Sequence, residues 1–164
     1  MRPALPLALT VFTCTAALAA STQSSNLHDL SGSDLCPPTA YVTIDDEDDG
    51  ELAADIEGQL DKYATLYGLK YGDSKTCSAT TYLSVDAFKT KAGAYSYLIE
   101  FGVELRGDVR ASLGERTVTV SAPRIWTNSY YGSYSSLDNL KDGVTDRVRD
   151  YYDEFALDWR AAHP

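Results

Sequence analysis

From Tyr95 to Arg106 the chain reads YSYLIEFGVELR, and apolar and polar positions alternate along it. Tyr95, Tyr97, Ile99, Phe101, Val103 and Leu105 fall on one side of an extended backbone, and Ser96, Leu98, Glu100, Gly102, Glu104 and Arg106 on the other. Successive side chains of a strand point to opposite faces. The pattern therefore predicts a strand with one face on a core and one face outside it, as in an antiparallel sheet. Shorter runs of the same period flank it. Pro37-Pro38 excludes helix and feeds an extended segment, Ala40 to Ile44, with Val42 and Ile44 inward. CSATTYLSVDAF (77–88) sets Leu83 and Val85 on one face, and RTVTVSAPRIW (116–126) reads as a fourth strand that bends or lies at an edge at Pro123.

Two stretches change the period to three or four. Leu52, Ile56, Leu60, Tyr63, Ala64 and Tyr67 make one helical stripe between Asp49 and Leu69, closed by Gly68 and Gly72. After a cap at Ser135 or Ser136, a second stripe runs through Leu137, Leu140, Val144, Val148, Tyr151 or Tyr152, Phe155 and Trp159. The order β-α-β-β-β-α predicts an α+β fold, a two-layer α/β sandwich. Its four-stranded, mostly antiparallel sheet carries both helices on one face. GDVRASLGE is then a connection, and TNSYYGSYSS a Tyr-rich loop.

The start of the chain has a different character. Residues 1–20, with Arg2, an apolar run and Ala17-Leu18-Ala19, follow the pattern of a secretory signal peptide. Cys14 invites a lipoprotein reading, but Val11-Phe12-Thr13 are poor neighbours for one. Residues 21–35 are short, polar and Ser-rich, and read as a flexible leader that can order on a partner. Residues 36–164 form a single α/β domain. Within it Cys36 and Cys77 are an even pair, which an exported chain oxidises. A β-α-β crossover makes the first two strands parallel, so their starts, where the two cysteines sit, share one end of the sheet.

The charge balance narrows the partners. There are 14 basic and 24 acidic side chains, a formal charge of −10 that becomes −11 when Arg2 leaves with the signal. Such a chain repels nucleic acid and anionic membranes. The acid concentrates in Asp45-Asp46-Glu47-Asp48-Asp49-Gly50-Glu51. An EF-hand fails here, because its twelfth position would be Ile56, in the helix stripe. Asp48 as N-cap with Glu51 at N3 explains much of the run. Asp45, Glu47, Asp48 and Asp49 remain the candidate ligands of a weak calcium site; no other cofactor is expected.

Catalytic sets are scarce. The two histidines are His28, in the leader, and His163, next to the last residue, so no Ser-His-Asp or Cys-His set can be held on the framework. Asp86, Glu100 and Glu104 are the carboxylates of the outer sheet face; Glu100 and Glu104 lie about 13 Å apart along a strand, too far for a glycosidase pair, which leaves Asp86 on the neighbouring strand to pair with one of them as the only route to a carboxylate-based hydrolase. Arg106-Gly107-Asp108 spells an adhesion tripeptide but most simply turns the chain. The binding candidates are Trp126, Tyr130, Tyr131 and Tyr134, aromatic among small polar residues, as in good contact surfaces. The sequence thus points to a non-catalytic, exported accessory subunit that docks onto a larger protein complex of a bacterial cell envelope, in the periplasm or outside the cell. The alternative is a binding module for calcium or cell-wall glycan. No motif singles out a family.

Overall fold

The computed structural model describes residues 23–164. The signal peptide at 1–20, Cys14 and the first residues of the leader lie outside the described residues. The elements are β1 (Thr39–Ile44), β2 (Glu47–Asp48), α1 (Gly50–Tyr67), β3 (Ala79–Lys89), β4 (Tyr95–Leu105), β5 (Asp108–Leu113), β6 (Arg116–Ser121), β7 (Arg124–Tyr134) and α2 (Leu137–Ala162). The main sheet has five strands in the order β2-β1-β3-β4-β7, and β5 and β6 form a separate two-stranded sheet. β1 and β3 are parallel, and the other neighbours in the sheet are antiparallel. This is the expected α+β fold. The sheet gains a fifth strand because Asp45 and Asp46 both take positive φ (54° and 65°), the backbone of a two-residue type I′ hairpin, which folds Glu47 and Asp48 back on β1.

The alternation of β4 places Ile99, Phe101 and Val103 on the covered face, beside Val42 and Ile44 of β1, Leu83 and Val85 of β3 and Trp126 of β7. Leu52, Ile56, Leu60 and Ala64 of α1, and Leu140, Val144, Val148, Tyr152 and Phe155 of α2, close over them. Phe101, Trp126 and Phe155 meet edge to face, with ring centroids 5.3–5.8 Å apart. Ser136 caps α2 by accepting from the Asn139 N–H, and Gly68, at φ 71°, closes α1. Cys36 and Cys77 are joined, with Cα atoms 5.1 Å apart, at the shared end of β1 and β3.

The leader differs from expectation. From Gln23 onward it belongs to the folded body: two short 3-10 turns, Ser24–Leu27 and Gly32–Asp34, carry Leu27 and Leu35 fully into the core. The Gln23 side chain donates to the Thr127 carbonyl and accepts from the Thr127 N–H, both at 2.9 Å. The His163 ring contacts the Leu30 carbonyl at 2.7 Å. The cause is Leu27, Leu30 and Leu35, spaced among serines. They are too few to raise the local hydropathy, yet Leu27 packs where β7 and α2 meet and Leu35 beside Ala79 at the start of β3.

The stretch from Arg106 to Tyr134 also departs from expectation. The single strand expected over 116–126 is broken at Ala122-Pro123. Its first half, β6, pairs with β5, in the stretch expected to be only a connection. Its second half continues into the expected Tyr-rich loop, so β7 is an edge strand of 11 residues.

Candidate functional site

Where the aromatic candidates fall follows from the parity of β7. Trp126 opposes Val103 and Tyr130 opposes Ile99, so both face the helices. Trp126 is buried and its indole N–H donates to Asp158 at 2.7 Å. Tyr130 packs on Tyr151, ring centroids 4.3 Å apart, and burial, with Glu154 second, raises its hydroxyl pKa well above the ordinary value. Tyr134 stacks on Tyr97 at 5.2 Å and reaches over Gly143 of α2. Three of the four aromatics proposed as a contact surface are therefore core or core-rim residues. Tyr131, of opposite parity, is 86% exposed.

The acidic corner is similarly explained by its backbone. Asp45 turns the hairpin and accepts from the Lys89 N–H at 2.6 Å. The N-cap of α1 is Asp49, not Asp48: it accepts from the Leu52 N–H at 3.1 Å and pairs with Lys141 of α2. The hydrogen bond with Lys141, and then the one from Leu52, hold its carboxyl below the ordinary 3.8. Glu47 and Asp48 are exposed on β2. Among the described residues, no three His, Cys, Asp or Glu side chains gather as a metal-binding group.

The outer face of the sheet carries no element of the described chain. At one end lies a polar cluster. The Tyr82 ring crosses the sheet onto Gly102, where a Cβ would lie 2.8 Å from the ring. Its hydroxyl donates to Glu100 at 2.6 Å. Arg124 sits over the same ring at 5.7 Å and pairs with Glu100 at 2.7 Å and Glu104 at 3.9 Å. Burial, and then Glu100, raise the Tyr82 pKa. Glu100 and Glu104 are thus bridged by a guanidinium, and Asp86 stands opposite Leu98, on the far side of Glu100. A shallow groove of about 250 Å³ between Tyr41, Thr80, Tyr82, Ser84, Glu104 and Arg124 marks this end. At the other end Phe88, Leu98 and Tyr131 are neighbours and all exposed.

The feature missed in the sequence is an arm. β5 and β6 pair from Asp108–Ser121 to Leu113–Arg116. The turn is Gly114-Glu115, with positive φ only at Gly114 (62°), the II′ pattern. Strand parity puts Val109, Ala111, Leu113, Val118 and Val120 on one face, with Arg116 at its tip opposite Leu113, and Asp108, Arg110, Ser112, Thr117, Thr119 and Ser121 on the other. Leu113 and Val120 are exposed. The arm leaves the sheet through a narrow neck. Gly107 (φ 89°) and Ala122 (φ 44°) both take left-handed backbone, and the Ala122 N–H donates to the Gly107 carbonyl at 2.9 Å. Ala122 lacks glycine's freedom at that φ, so the neck stores backbone strain. Arg106, first residue of the tripeptide, turns back from the neck to the Ser74 carbonyl (2.9 Å) and lies 3.5 Å from the Cys77 sulfur, so the tripeptide's arginine packs beside the disulfide. The clue in the sequence was DVRASL and RTVTVS, two alternating runs either side of a Gly-Glu pair.

No helix among the described residues is long and apolar enough to cross a membrane. No protein-family model, no curated protein and no solved structure matches this chain.

Proposed function

We propose that the protein is a non-catalytic, exported accessory subunit of a larger assembly in the bacterial cell envelope, and that it docks by inserting the β5–β6 arm into its partner. The observation that carries this reading is the arm's apolar face. A two-stranded hairpin alone is marginally stable in water. This one turns Val109, Ala111, Leu113, Val118 and Val120 to one side, with no core from the described residues beneath. A partner surface that covers the apolar side supplies the missing layer, and the free edges of β5 and β6 offer backbone groups for strand addition.

Charge defines the partner further. The arm itself, Asp108 to Ser121, is neutral in a protein of net charge −10: Arg110 and Arg116 balance Asp108 and Glu115, while Arg106 and Arg124 are held by the body of the fold. The receiving site is therefore an apolar slot without a strong charge of either sign. No observation favours the calcium or glycan alternative in the same way: Asp45 and Asp49 serve a turn and a cap, and most of the aromatic set serves the core.

The test removes the arm. Residues 108–121 are replaced by Asn-Gly between Gly107 and Ala122, which already lie hydrogen-bonded at the neck. The expected result is an unchanged melting temperature and loss of the high-mass species in which the intact protein migrates on native gels of gently released envelope. An intact protein that migrates alone, or an armless one that keeps the same companions, overturns the reading.

A further inference from the structure

The two edges of the main sheet are treated differently. One edge is β2, two acidic residues long, and the rest of that side is occupied: Glu57 accepts from the Ala40 N–H at 2.9 Å, and the Asp49 N–H donates to the Val42 carbonyl at 2.9 Å. Short, charged and covered edges resist pairing with other chains. The other edge, β7, is long, and from Ile125 to Leu137 it has no charged residue in a chain with 38 of them.

Hydrogen bonds along β7 show which backbone groups face outward. Asn26 takes the Ile125 carbonyl at 2.8 Å, Gln23 takes both groups of Thr127, and the Asn128 side chain takes the Ser129 N–H at 3.0 Å. The odd-numbered residues thus point away from β4. By the same alternation, so do Tyr131 and Ser133. No hydrogen bond from the described residues reaches the outward backbone of these two. Gln23 mimics a neighbouring strand at Thr127, so among the described residues the edge is sealed in its first half and uncovered in its second.

We propose that two copies of the chain pair antiparallel through the open half of β7, with Tyr131 opposite Tyr131 of the second copy, joining two five-stranded sheets into one. Residues Ser129, Tyr131 and Ser133 are self-complementary about Tyr131: a two-fold axis there sets Ser129 of each copy against Ser133 of the other, where the Ser129 carbonyl accepts from the Ser133 N–H while the Ser129 N–H stays with Asn128. Side chains of the pair fall on the outer face. Leu98 lies beside Tyr131 within each copy, so the join makes a continuous stripe of Leu98, two Tyr131 rings and the second Leu98. The small side chains of Ser129 and Ser133 leave room for the rings.

Electrostatics select a second copy for this edge. Two chains of net charge −10 repel, and an uncharged strand is where they approach at least cost. Beneath it, α2 runs back along β7: Tyr134 meets Gly143, Tyr130 meets Tyr151, and Asn128 bonds Glu154. This pairing uses a different edge from the arm and stands whether or not the arm docks.

Sedimentation equilibrium of the purified, oxidised protein across the micromolar range tests it. The expected result is a dimer, and a monomer for Tyr131→Pro with unchanged circular dichroism. Tyr131's N–H serves no bond to β4, so proline removes nothing from the ladder. Cysteine scanning tests the register independently, should Tyr131→Pro unfold. Directly opposed residues lie about 5.5 Å apart, within disulfide range. Tyr131→Cys therefore cross-links to itself, Ser133→Cys does not, and a mixture of Ser129→Cys and Ser133→Cys chains does. A monomeric wild type, or Ser133→Cys cross-linking to itself as well as Tyr131→Cys does, overturns the proposal.

Discussion

Replacing Leu27 by Ala separates a leader that is part of the fold from one that hangs off it. Leu27 is fully buried, on a 3-10 turn that lies against α2 and β7. Truncating such a leucine removes its transfer free energy and leaves a cavity, typically about 2–5 kcal/mol together. We expect about 3 kcal/mol, because the turn is short and its neighbours can move partly into the space. That is a large part of a total stability of roughly 5–15 kcal/mol. At this chain length it lowers Tm by roughly 6–12 °C. Leu66, 68% exposed on α1, is the control. Its alanine variant should stay within about 0.5 kcal/mol of wild type. Urea unfolding of the oxidised protein, followed by Trp fluorescence, reads both, with equal slopes required for the comparison. A Leu27→Ala midpoint as close to wild type as that of Leu66→Ala would refute the packing described above.

Other outcomes follow from the same structure. Cys36→Ser with Cys77→Ser opens a loop spanning 41 residues, and the chain-entropy relation puts the loss at about 4 kcal/mol, read as a lower urea midpoint. Asp49→Ala should cost about 1 kcal/mol at neutral pH. Because the folded carboxyl titrates below its ordinary 3.8, its contribution is full above that value and fades as pH falls through the folded pKa. The wild-type and Asp49→Ala stability curves should therefore converge in acid, and a gap that persists would count against the cap and its Lys141 pair. Tyr151 and Tyr152 make a matched pair. The Tyr151 hydroxyl is buried with no partner among the described residues, whereas that of Tyr152 meets Tyr71 at 3.0 Å. Tyr151→Phe should leave stability equal or higher, and Tyr152→Phe should lower it by about 1 kcal/mol. Spectrophotometric titration should also find Tyr152 ionising late, its pKa pushed up to about 12 by burial.

Periodicity made much of this fold legible. The alternation from Tyr95 to Leu105 fixed the faces of β4, the stripes of α1 and α2 marked their buried sides, and the crossover argument brought Cys36 to Cys77. What periodicity could not weigh was competition between equally good local patterns. The run from Arg116 to Trp126 alternates throughout, and only Ala122 in left-handed backbone before Pro123 breaks it into two strands of different sheets. Tyr130, Tyr131 and Tyr134 look alike among serines, yet parity sends Tyr130 onto Tyr151 and Tyr131 outward. That parity depends on a register no single strand reveals. Leu27 and Leu35 were hidden for the opposite reason, since three leucines among polar residues show no period. The arm was missed because hairpins are usually recognised by the core they cover, and this one covers no core among the described residues.

The central claim is that this arm enters a partner, and a photo-cross-linking residue at Leu113, at its tip, tests it most directly. The same residue at Leu66, equally exposed on α1, is the reference. In intact envelope the account predicts one adduct of fixed mass from position 113, heavier than a dimer of the chain, and none from position 66. Equal adducts from both positions, or none from the arm, would contradict it.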